Sequence, residues 1–281
     1  MQKLNLQPIP YQGSKRGIAG QIFAQVSSKA NRLIEPFAGS AAVTLFVARN
    51  QIASSFVIND SYEPLVNLWK KIIEQPEQLA REYEAIWTAQ LNDPKTFYKK
   101  IRAEFNTDQD PAKFLYLASR CVKNAIRFNT QGEFNQGADN RRLGRKPSET
   151  RQHILQSSHL LRGKVEVYCE DFLSTLERAV PGDLVYMDPP YQGTSTKKNP
   201  RYHQGLTVEK LIEGIELLNR KKIPFLLSYD GACGAKSYGI ELPAKLNLRR
   251  VDIRAGRSSQ ATLQGRSDET IESLYVSPFL S

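Results

Sequence analysis

Short apolar runs that end in turn residues recur in the first and last thirds of the chain. Runs of roughly four to eight residues, rich in β-branched and aromatic side chains and closed by Gly, Pro, Asn or Asp, are typical of buried strands. Five predicted strands contain Leu33–Ile34, Phe56–Ile58, Val165–Cys169, Leu184–Met187 and Pro224–Asp230. Two later segments, Leu248–Arg254 and Glu272–Val276, are predicted to pair as antiparallel strands.

Segments with helical periodicity alternate with these strands. After the second strand, an apolar stripe at i, i+3, i+4 and i+7 consists of Leu65, Leu68, Trp69 and Ile72. This spacing predicts an amphipathic helix whose stripe lies in the core. Another helix is predicted from about residue 207 to 222. Strands that alternate with helices predict an α/β fold built on a mostly parallel sheet.

Residues 75–159 interrupt this alternation and predict a mostly helical insertion, so that 1–74 and 160–281 together form the main domain. Within the insertion, Phe114–Phe128 has a helical pattern that carries Arg120, Lys123 and Arg127. A segment rich in Asn, Gln, Arg, Gly and Phe follows up to residue 146. As a loop or hairpin it could read base edges and hold phosphates. A solvated basic loop explains its composition equally well.

Composition narrows the class of protein. The chain has 281 residues, 40% of them hydrophobic, which is enough for a core, and its net charge of +10 favours a polyanionic partner such as nucleic acid. Three widely spaced cysteines predict reduced thiols of a cytosolic protein, and neither they nor the three histidines have metal-site spacing. No apolar run reaches membrane-spanning length and the N-terminus does not read as a signal peptide, so we expect a cytoplasmic protein.

The first candidate site is the motif Asp188-Pro189-Pro190-Tyr191, which directly follows the predicted strand Leu184–Met187. Two prolines end the strand and place Asp188 at its carboxyl end, the edge at which open α/β sheets bind ligands. The Asp188 carboxylate and the Pro189 carbonyl can each accept one hydrogen of a planar amino group, on whose ring Tyr191 can stack. A solvent-exposed turn is the plainer interpretation of Asp-Pro.

Other segments suit an adenosine-like ligand. The first predicted strand runs into small residues at 36–42 and then a helix, a turn that lets a ligand approach the backbone. Asp60 closes the second strand, where ribose hydroxyls are usually held. Asp171 and Phe172 follow the next strand and could bind an adenine edge and face, and Lys15 could hold a ligand carboxylate. The turn is not G-x-G-x-x-G, so a dinucleotide is a poor fit.

In this order the motifs resemble those of the Dam-related, or D12 class, DNA adenine-N6 methyltransferases, and the likeness covers most of the chain. The shared motifs are Tyr-x-Gly-Ser-Lys at 11–15, Glu-Pro-Phe-x-Gly at 35–39, Asn-Asp at 59–60, Arg-Phe-Asn…Gly-x-Phe-Asn at 127–135, Asp-Phe at 171–172 and Asp-Pro-Pro-Tyr at 188–191. The resemblance implies a class I, Rossmann-like methyltransferase: a mostly parallel sheet with an antiparallel C-terminal strand, a helical DNA-recognition insertion, and S-adenosylmethionine as methyl donor.

The resemblance also implies roles for individual residues. The catalytic set would be Asp188, Pro189, Pro190 and Tyr191. The cofactor-binding set would be Tyr11, Lys15, Glu35, Phe37, Gly39, Asp60, Asp171, Phe172 and Asp188. Candidate DNA-binding residues are Arg120, Lys123, Arg127, Asn129, Asn135, Gln136, Arg141, Arg142, Lys197, Lys198 and Arg201. The family often has glycine where this chain has Ala41, and alanine would be unfavourable there if the position needs a positive φ.

We therefore expect methyl transfer to the N6 amino group of a flipped-out adenine in double-stranded DNA, by a monomer that uses no metal. The enzyme could be solitary or could accompany a cognate restriction endonuclease. The alternatives are a methyltransferase that acts on RNA adenine or protein glutamine, and a catalytically silent DNA-binding protein.

Overall fold

A mixed β-sheet organises the computed structural model, which describes residues 6–190, 206–233, 236–238, 242–257 and 269–280. Its strands in the described residues are β1 (Ala30–Glu35), β2 (Ala53–Asn59), β3 (Val165–Tyr168), β4 (Asp183–Met187), β5 (Phe225–Cys233), β6 (Lys236–Tyr238), β7 (Arg249–Arg257) and β8 (Glu269–Val276). Their order is β3-β2-β1-β4-β5-β8-β7, with β6 paired to β5. Strands β1 to β5 are parallel, and β8 is antiparallel to both of its neighbours. The predicted strands and the α/β sheet are confirmed.

The strand order reverses between β1 and β4, which are hydrogen-bonded neighbours. From β1 the chain moves outward through β2 and β3, whereas from β4 it moves the other way through β5. Loops on either side of such a switch point diverge and leave a crevice at the carboxyl ends of the strands. All five residues of β4 are buried, as expected for a central parallel strand covered on both faces.

Helices cover the sheet and form most of residues 75–159. They are α1 (Ala19–Phe23), α2 (Ala42–Asn50), α3 (Glu63–Glu74), α4 (Pro76–Ala89), α5 (Pro94–Asp108), α6 (Pro111–Arg120), α7 (Pro147–Leu161), α8 (Phe172–Glu177) and α9 (Val208–Lys221). Each helix from α3 to α7 has a proline in its first turn. The missing N–H of proline costs nothing there, because N–H groups of the first turn have no acceptor within the helix. In the described part of the chain, no helix has the length and apolarity needed to span a bilayer.

The insertion shares a core with the sheet. The predicted stripe of α3 is buried, including Trp69 at 1% exposure, and α3 packs against α6 and α7. Helix α7 also packs against α2, and Ser158 Oγ donates a hydrogen bond to the Ile73 carbonyl at 2.7 Å. Helix α7 then leads directly into β3. The last helix of residues 75–159 is therefore part of the layer that covers the sheet.

The helix predicted over Phe114–Phe128 ends instead at Arg120. Lys123 and Asn124 have φ values of +59° and +52°, a left-handed conformation that ends a helix. The Asn124 amide donates to the Ala118 carbonyl at 2.8 Å and so satisfies one of the last helical acceptors. The predicted loop or hairpin follows as a hairpin in which Phe128 lies opposite Phe134.

Candidate active site

A cavity of about 520 Å³ opens at the carboxyl ends of β1 to β4. Eleven of the sequence-predicted site residues line it: Tyr11, Lys15, Glu35, Phe37, Gly39, Asp60, Asp171, Phe172, Asp188, Pro189 and Pro190. These residues come from five separate segments of the chain, and the fold brings them together at the switch point. Tyr191, Lys197, Lys198 and Arg201 lie outside the described residues.

Asp188 follows the last residue of β4 and contacts Lys15. The Lys15 Nζ lies 3.2 Å from Asp188 Oδ1 and 3.0 Å from Glu272 Oε2. Only 7% of the Lys15 side chain is exposed, and the two carboxylates compensate for the hydration that this buried cation has lost. Glu272 lies on β8 and was not predicted, because an isolated glutamate in an antiparallel strand carries no motif.

The turn between β1 and α2 has left-handed backbone at two positions. Gly39 has φ +50° and Ala41 has φ +43°, so the position at which the family often has glycine does require positive φ in this chain. The strain of alanine in this conformation is about 1–2 kcal/mol. The Ala41 side chain is fully buried, and its packing offsets part of that strain.

Glu35, at the end of β1, supplies the acceptor that the N-terminus of α2 needs. Its Oε2 accepts hydrogen bonds from Thr44 N at 3.1 Å and from Thr44 Oγ1 at 2.5 Å. Burial raises the pKa of Glu35 to about 8, while the two bonds from Thr44 act to lower it. Asp188 and Asp60 raise it further through charge repulsion. Glu35 thus orders the turn that forms one wall of the cavity.

The Asp60 carboxylate ties the end of β2 to two backbone turns. Oδ2 accepts a hydrogen bond from Gly39 N and Oδ1 accepts one from Tyr62 N, both at 3.0 Å. Burial raises the pKa of Asp60, and these backbone bonds act against the rise. A carboxylate oxygen has two acceptor sites, so each oxygen can accept a further bond from a ligand hydroxyl.

Asn59 is a site residue that the sequence analysis passed over, although it stands in the Asn-Asp motif. Its amide donates to the carbonyls of Pro36 and Glu170, both at 3.1 Å, and accepts from Glu170 N at 2.9 Å. It therefore joins the ends of β1, β2 and β3 beneath the cavity. Trp69 adds a bond from Nε1 to the Gly39 carbonyl at 2.9 Å.

Two aromatic rings lie side by side in the cavity wall. The centroids of Phe37 and Phe172 are 5.0 Å apart, with the rings tilted by 32°. Asp171 caps the N-terminus of α8 by accepting from Leu173 N at 2.9 Å. Lys210 Nζ lies 3.7 Å from the other Asp171 oxygen. The two rings are in contact, and the Asp171 carboxylate beside Phe172 is a hydrogen-bond acceptor in the same wall of the cavity.

Arg120 was predicted to bind DNA, and the structure contradicts this, since the residue is only 1% exposed. Its Nε donates to Gln90 Oε1 at 2.8 Å, and NH1 donates to the carbonyls of Asp139 and Arg142 at 2.6 and 2.5 Å. A buried guanidinium with these partners has no face left for a phosphate. Through these hydrogen bonds, Arg120 of α6 instead links the segment after the hairpin to the end of α4.

The other described candidates lie on or beside the hairpin. Lys123 and Arg141 are exposed, and Arg141 forms a two-pronged ion pair with Asp139 at 3.0 and 3.1 Å. Arg142 is 43% exposed and lies 3.2 Å from the same carboxylate. Gln136 is half-buried, and its amide reaches the Val122 carbonyl at 3.4 Å.

Three candidates belong to the hairpin itself. The Asn129 side chain accepts from Gln131 N and Glu133 N, both at 2.9 Å, and so shapes the turn. Asn135 is half-buried, and its backbone N–H donates to the Arg127 carbonyl. The Arg127 Nε is buried with no hydrogen-bond acceptor among the described residues.

The strand order, with an antiparallel β8 between β5 and β7, and the cavity at the switch point define a class I methyltransferase. Residues 11–252 match the family described as D12 class N6 adenine-specific DNA methyltransferase. The match spans most of the chain, and the chain belongs to this family of adenine-specific DNA methyltransferases. Such an enzyme requires a methyl donor and DNA.

Curated relatives agree with this assignment. A DNA adenine methylase of Salmonella typhi is 28% identical over 253 residues, 86% of each chain. A type II methyltransferase of Lactococcus lactis subsp. cremoris is 25% identical over 291 residues, 97% of each chain. The solved rRNA methyltransferase of Streptomyces viridochromogenes aligns with a TM-score of 0.38 and 14% identity, over 92% of this chain and 83% of that chain.

Proposed function

We propose that the chain transfers a methyl group from S-adenosylmethionine to the N6 nitrogen of adenine in double-stranded DNA. The observation that carries the proposal is the convergence of predicted cofactor-binding and catalytic residues on one cavity. Each chemical part of the donor has a suitable partner there, and the Asp-Pro-Pro segment stands at the same edge.

The cavity offers groups that suit each part of the donor. Lys15 is a cation suited to the carboxylate of the methionine part, and Asp60 can accept from the ribose hydroxyls. Phe37 and Phe172, which pack against each other, would offer an apolar ring surface to the adenine, with Asp171 at its edge. A Cβ on Gly39 would make only an ordinary contact with the Tyr11 ring, at 3.4 Å, so the φ of +50° rather than a lack of space favours glycine here. When bound, S-adenosylmethionine supplies an electrophilic methyl group on a positively charged sulfur.

Asp188 and Pro189 act on the acceptor. The exocyclic nitrogen of adenine is a weak nucleophile, because its lone pair is delocalised into the ring, and it is out of reach until the base is flipped. A hydrogen bond to the Asp188 carboxylate and another to the Pro189 carbonyl would favour a pyramidal nitrogen with its lone pair aimed at the methyl carbon. The new N–C bond would form as the methyl group leaves the donor sulfur, which would keep the electron pair, and the methylated nitrogen would then pass a proton to water.

Positioning of two reactants supplies much of the rate in such a transfer. We propose direct transfer with no methylated enzyme on the path, and isolation of a kinetically competent methyl-enzyme would contradict it. Tyr191 remains the predicted stacking partner of the flipped adenine.

The insertion, residues 75–159, is proposed to recognise the target sequence in duplex DNA. Lys123, which precedes the hairpin, and Arg141 and Arg142, which follow it, are exposed cations and suit phosphates. Arg127, Asn129, Asn135 and Gln136 carry groups that can bond to base edges. Arg120 is excluded from this set by its burial. Lys197, Lys198 and Arg201 stay proposed DNA contacts from the sequence.

The test is sequencing of native DNA, with detection of modified bases, from methylation-deficient cells that express the protein or its Asp188→Ala variant. Methylated adenine within one short motif, present only with the wild-type protein, is the expected result. Absence of methylated DNA from cells with folded wild-type protein would contradict the proposal. RNA and total protein from the same cells would then be examined for methyladenine and methylglutamine.

A further inference from the structure

We propose that Glu272 is a positioning residue for methyl transfer, which shares the Lys15 ammonium with Asp188 and so keeps the Asp188 carboxylate available to the adenine amino group. This inference rests on the proposed function. Its basis is the pair of distances from Lys15 Nζ, 3.2 Å to Asp188 Oδ1 and 3.0 Å to Glu272 Oε2.

The strand geometry directs Glu272 towards Lys15. Side chains alternate along a strand, so Glu272 shares a face of β8 with Leu274 and Val276, which are buried in the same core as Ile18. Ile18 follows directly after the short 3-10 helix Lys15–Gly17. Hydrogen-bonded neighbours on both sides of β8 fix the register, with Glu272 opposite Gly231 on β5 and Ile253 on β7.

Burial makes this contact electrostatically strong. The Glu272 side chain is 21% exposed, and its Oε2 is shielded from solvent and accepts no hydrogen bond from the described residues, so its contact with Lys15 is one between charges. Among the described residues, Lys15 is the only cation within ion-pair distance of Glu272. Lys15 itself is 7% exposed, and water therefore screens the three charges weakly. Within this group of three described side chains, one ammonium lies between two carboxylates, and the sum of their charges is negative.

The chemistry of the transfer needs that negative charge. Positive charge develops on the adenine nitrogen as it attacks the methyl carbon, and a nearby carboxylate that is already in place stabilises it. A lysine paired with Asp188 alone would cancel much of this effect. Glu272 draws part of the ammonium's charge away from Asp188, without itself contacting the substrate.

Glu272→Gln tests the role because it removes the charge and keeps the shape. We expect kcat to fall about tenfold or more, while the KM for S-adenosylmethionine stays within about threefold of the wild-type value. Loss of a negative charge near Lys15 does not weaken its attraction for the donor's carboxylate. Glu272→Asp, which restores the charge, should recover part of kcat. Glu216→Gln is the matched control, since Glu216 pairs with Lys245 on the surface at 2.8 Å.

A double-mutant cycle separates this role from a merely structural one. If Glu272 acts through Lys15, then Glu272→Gln should add little to the loss caused by Lys15→Met. A folded Glu272→Gln enzyme with kcat within twofold of wild type would overturn the inference, as would additive losses in the cycle. An inactive wild-type protein would instead contradict the proposed function.

Discussion

Lys15 Nζ lies 3.2 Å from Asp188 Oδ1, so the first motif of the chain and the residue that follows the central strand form one ion pair. The contact crosses the switch point of the sheet. It places a cation suited to the donor's carboxylate beside the carboxylate proposed to hold the acceptor, so the two proposed ligand sites adjoin.

Asp188→Ala should lower the methyl-transfer rate by at least about 100-fold, because the amino group loses an acceptor positioned for the transition state. The fold should persist, since Lys15 keeps Glu272 as a buried partner. Single-turnover transfer of a labelled methyl group and a thermal melt measure the two effects. Activity above a tenth of wild type in a folded variant would count against the assignment of Asp188.

The raised pKa of Glu35 predicts how stability depends on pH. The value is about 8 in the folded protein against a reference of 4.5, so between these pH values the folded state binds more protons than the unfolded state. The contribution of Glu35 to the free energy of unfolding is therefore complete below pH 4.5. It is lost as the pH rises through 8, by up to about 1.4 kcal/mol per pH unit.

Glu35→Gln abolishes this titration while keeping an acceptor for Thr44. The melting temperature of the variant relative to wild type should therefore rise between pH 5 and pH 9. Glu84→Gln, at an exposed position on α4, is the control and should show no such trend. A Glu35→Gln difference that is constant over this pH range would refute the prediction.

Substitutions at Ala41 should separate backbone strain from packing. Ala41→Gly relieves the strain of φ +43° but loses a buried methyl group and adds freedom to the unfolded chain, so its stability should stay within about 1 kcal/mol of wild type. Ala41→Val places a β-branched side chain in the same conformation, and its melting temperature should fall by roughly 4–8 °C. Equal melting temperatures for all three proteins would show that this turn tolerates any small side chain.

Arg120→Ala should weaken DNA binding without a direct contact to DNA. Its loss leaves the Gln90 amide oxygen and two carbonyls without their buried donor, at a cost of about 3 kcal/mol or more in stability. Donor affinity should be unchanged in folded protein, because Arg120 does not line the cavity. Arg81→Ala, on the exposed face of α4, is the control. Unchanged stability and DNA affinity would refute the scaffold role.

The salt dependence of binding should identify true phosphate contacts. Lys123→Asn tolerates φ +59° and removes one exposed charge, so the slope of log K against log salt should decrease in magnitude by about 1. Lys29→Asn, an exposed position just before β1, is the control and should leave the slope unchanged. A wild-type slope for Lys123→Asn would remove Lys123 from the DNA interface.

Local sequence patterns sufficed for the strands and for the buried stripe of α3, which depend on periodicity. The list of residues around the cavity came from the family resemblance, together with residue types at strand ends. A parallel sheet brings its carboxyl ends to one edge whatever the loops do. For this reason Asp60, Asp171 and Asp188 could be grouped before any coordinates existed.

Only the tertiary structure determined that Arg120 is buried, that Glu272 contacts Lys15 and that the backbone of Ala41 is left-handed. An arginine on a helix looks the same in sequence whether it faces solvent or a buried amide, and only the packing of α4 and α6 determined which. Glu272 meets Lys15 because β8 runs antiparallel between β5 and β7, which a strand pattern does not specify. A contact between distant segments depends on pairing and on burial, and neither property belongs to a residue by itself.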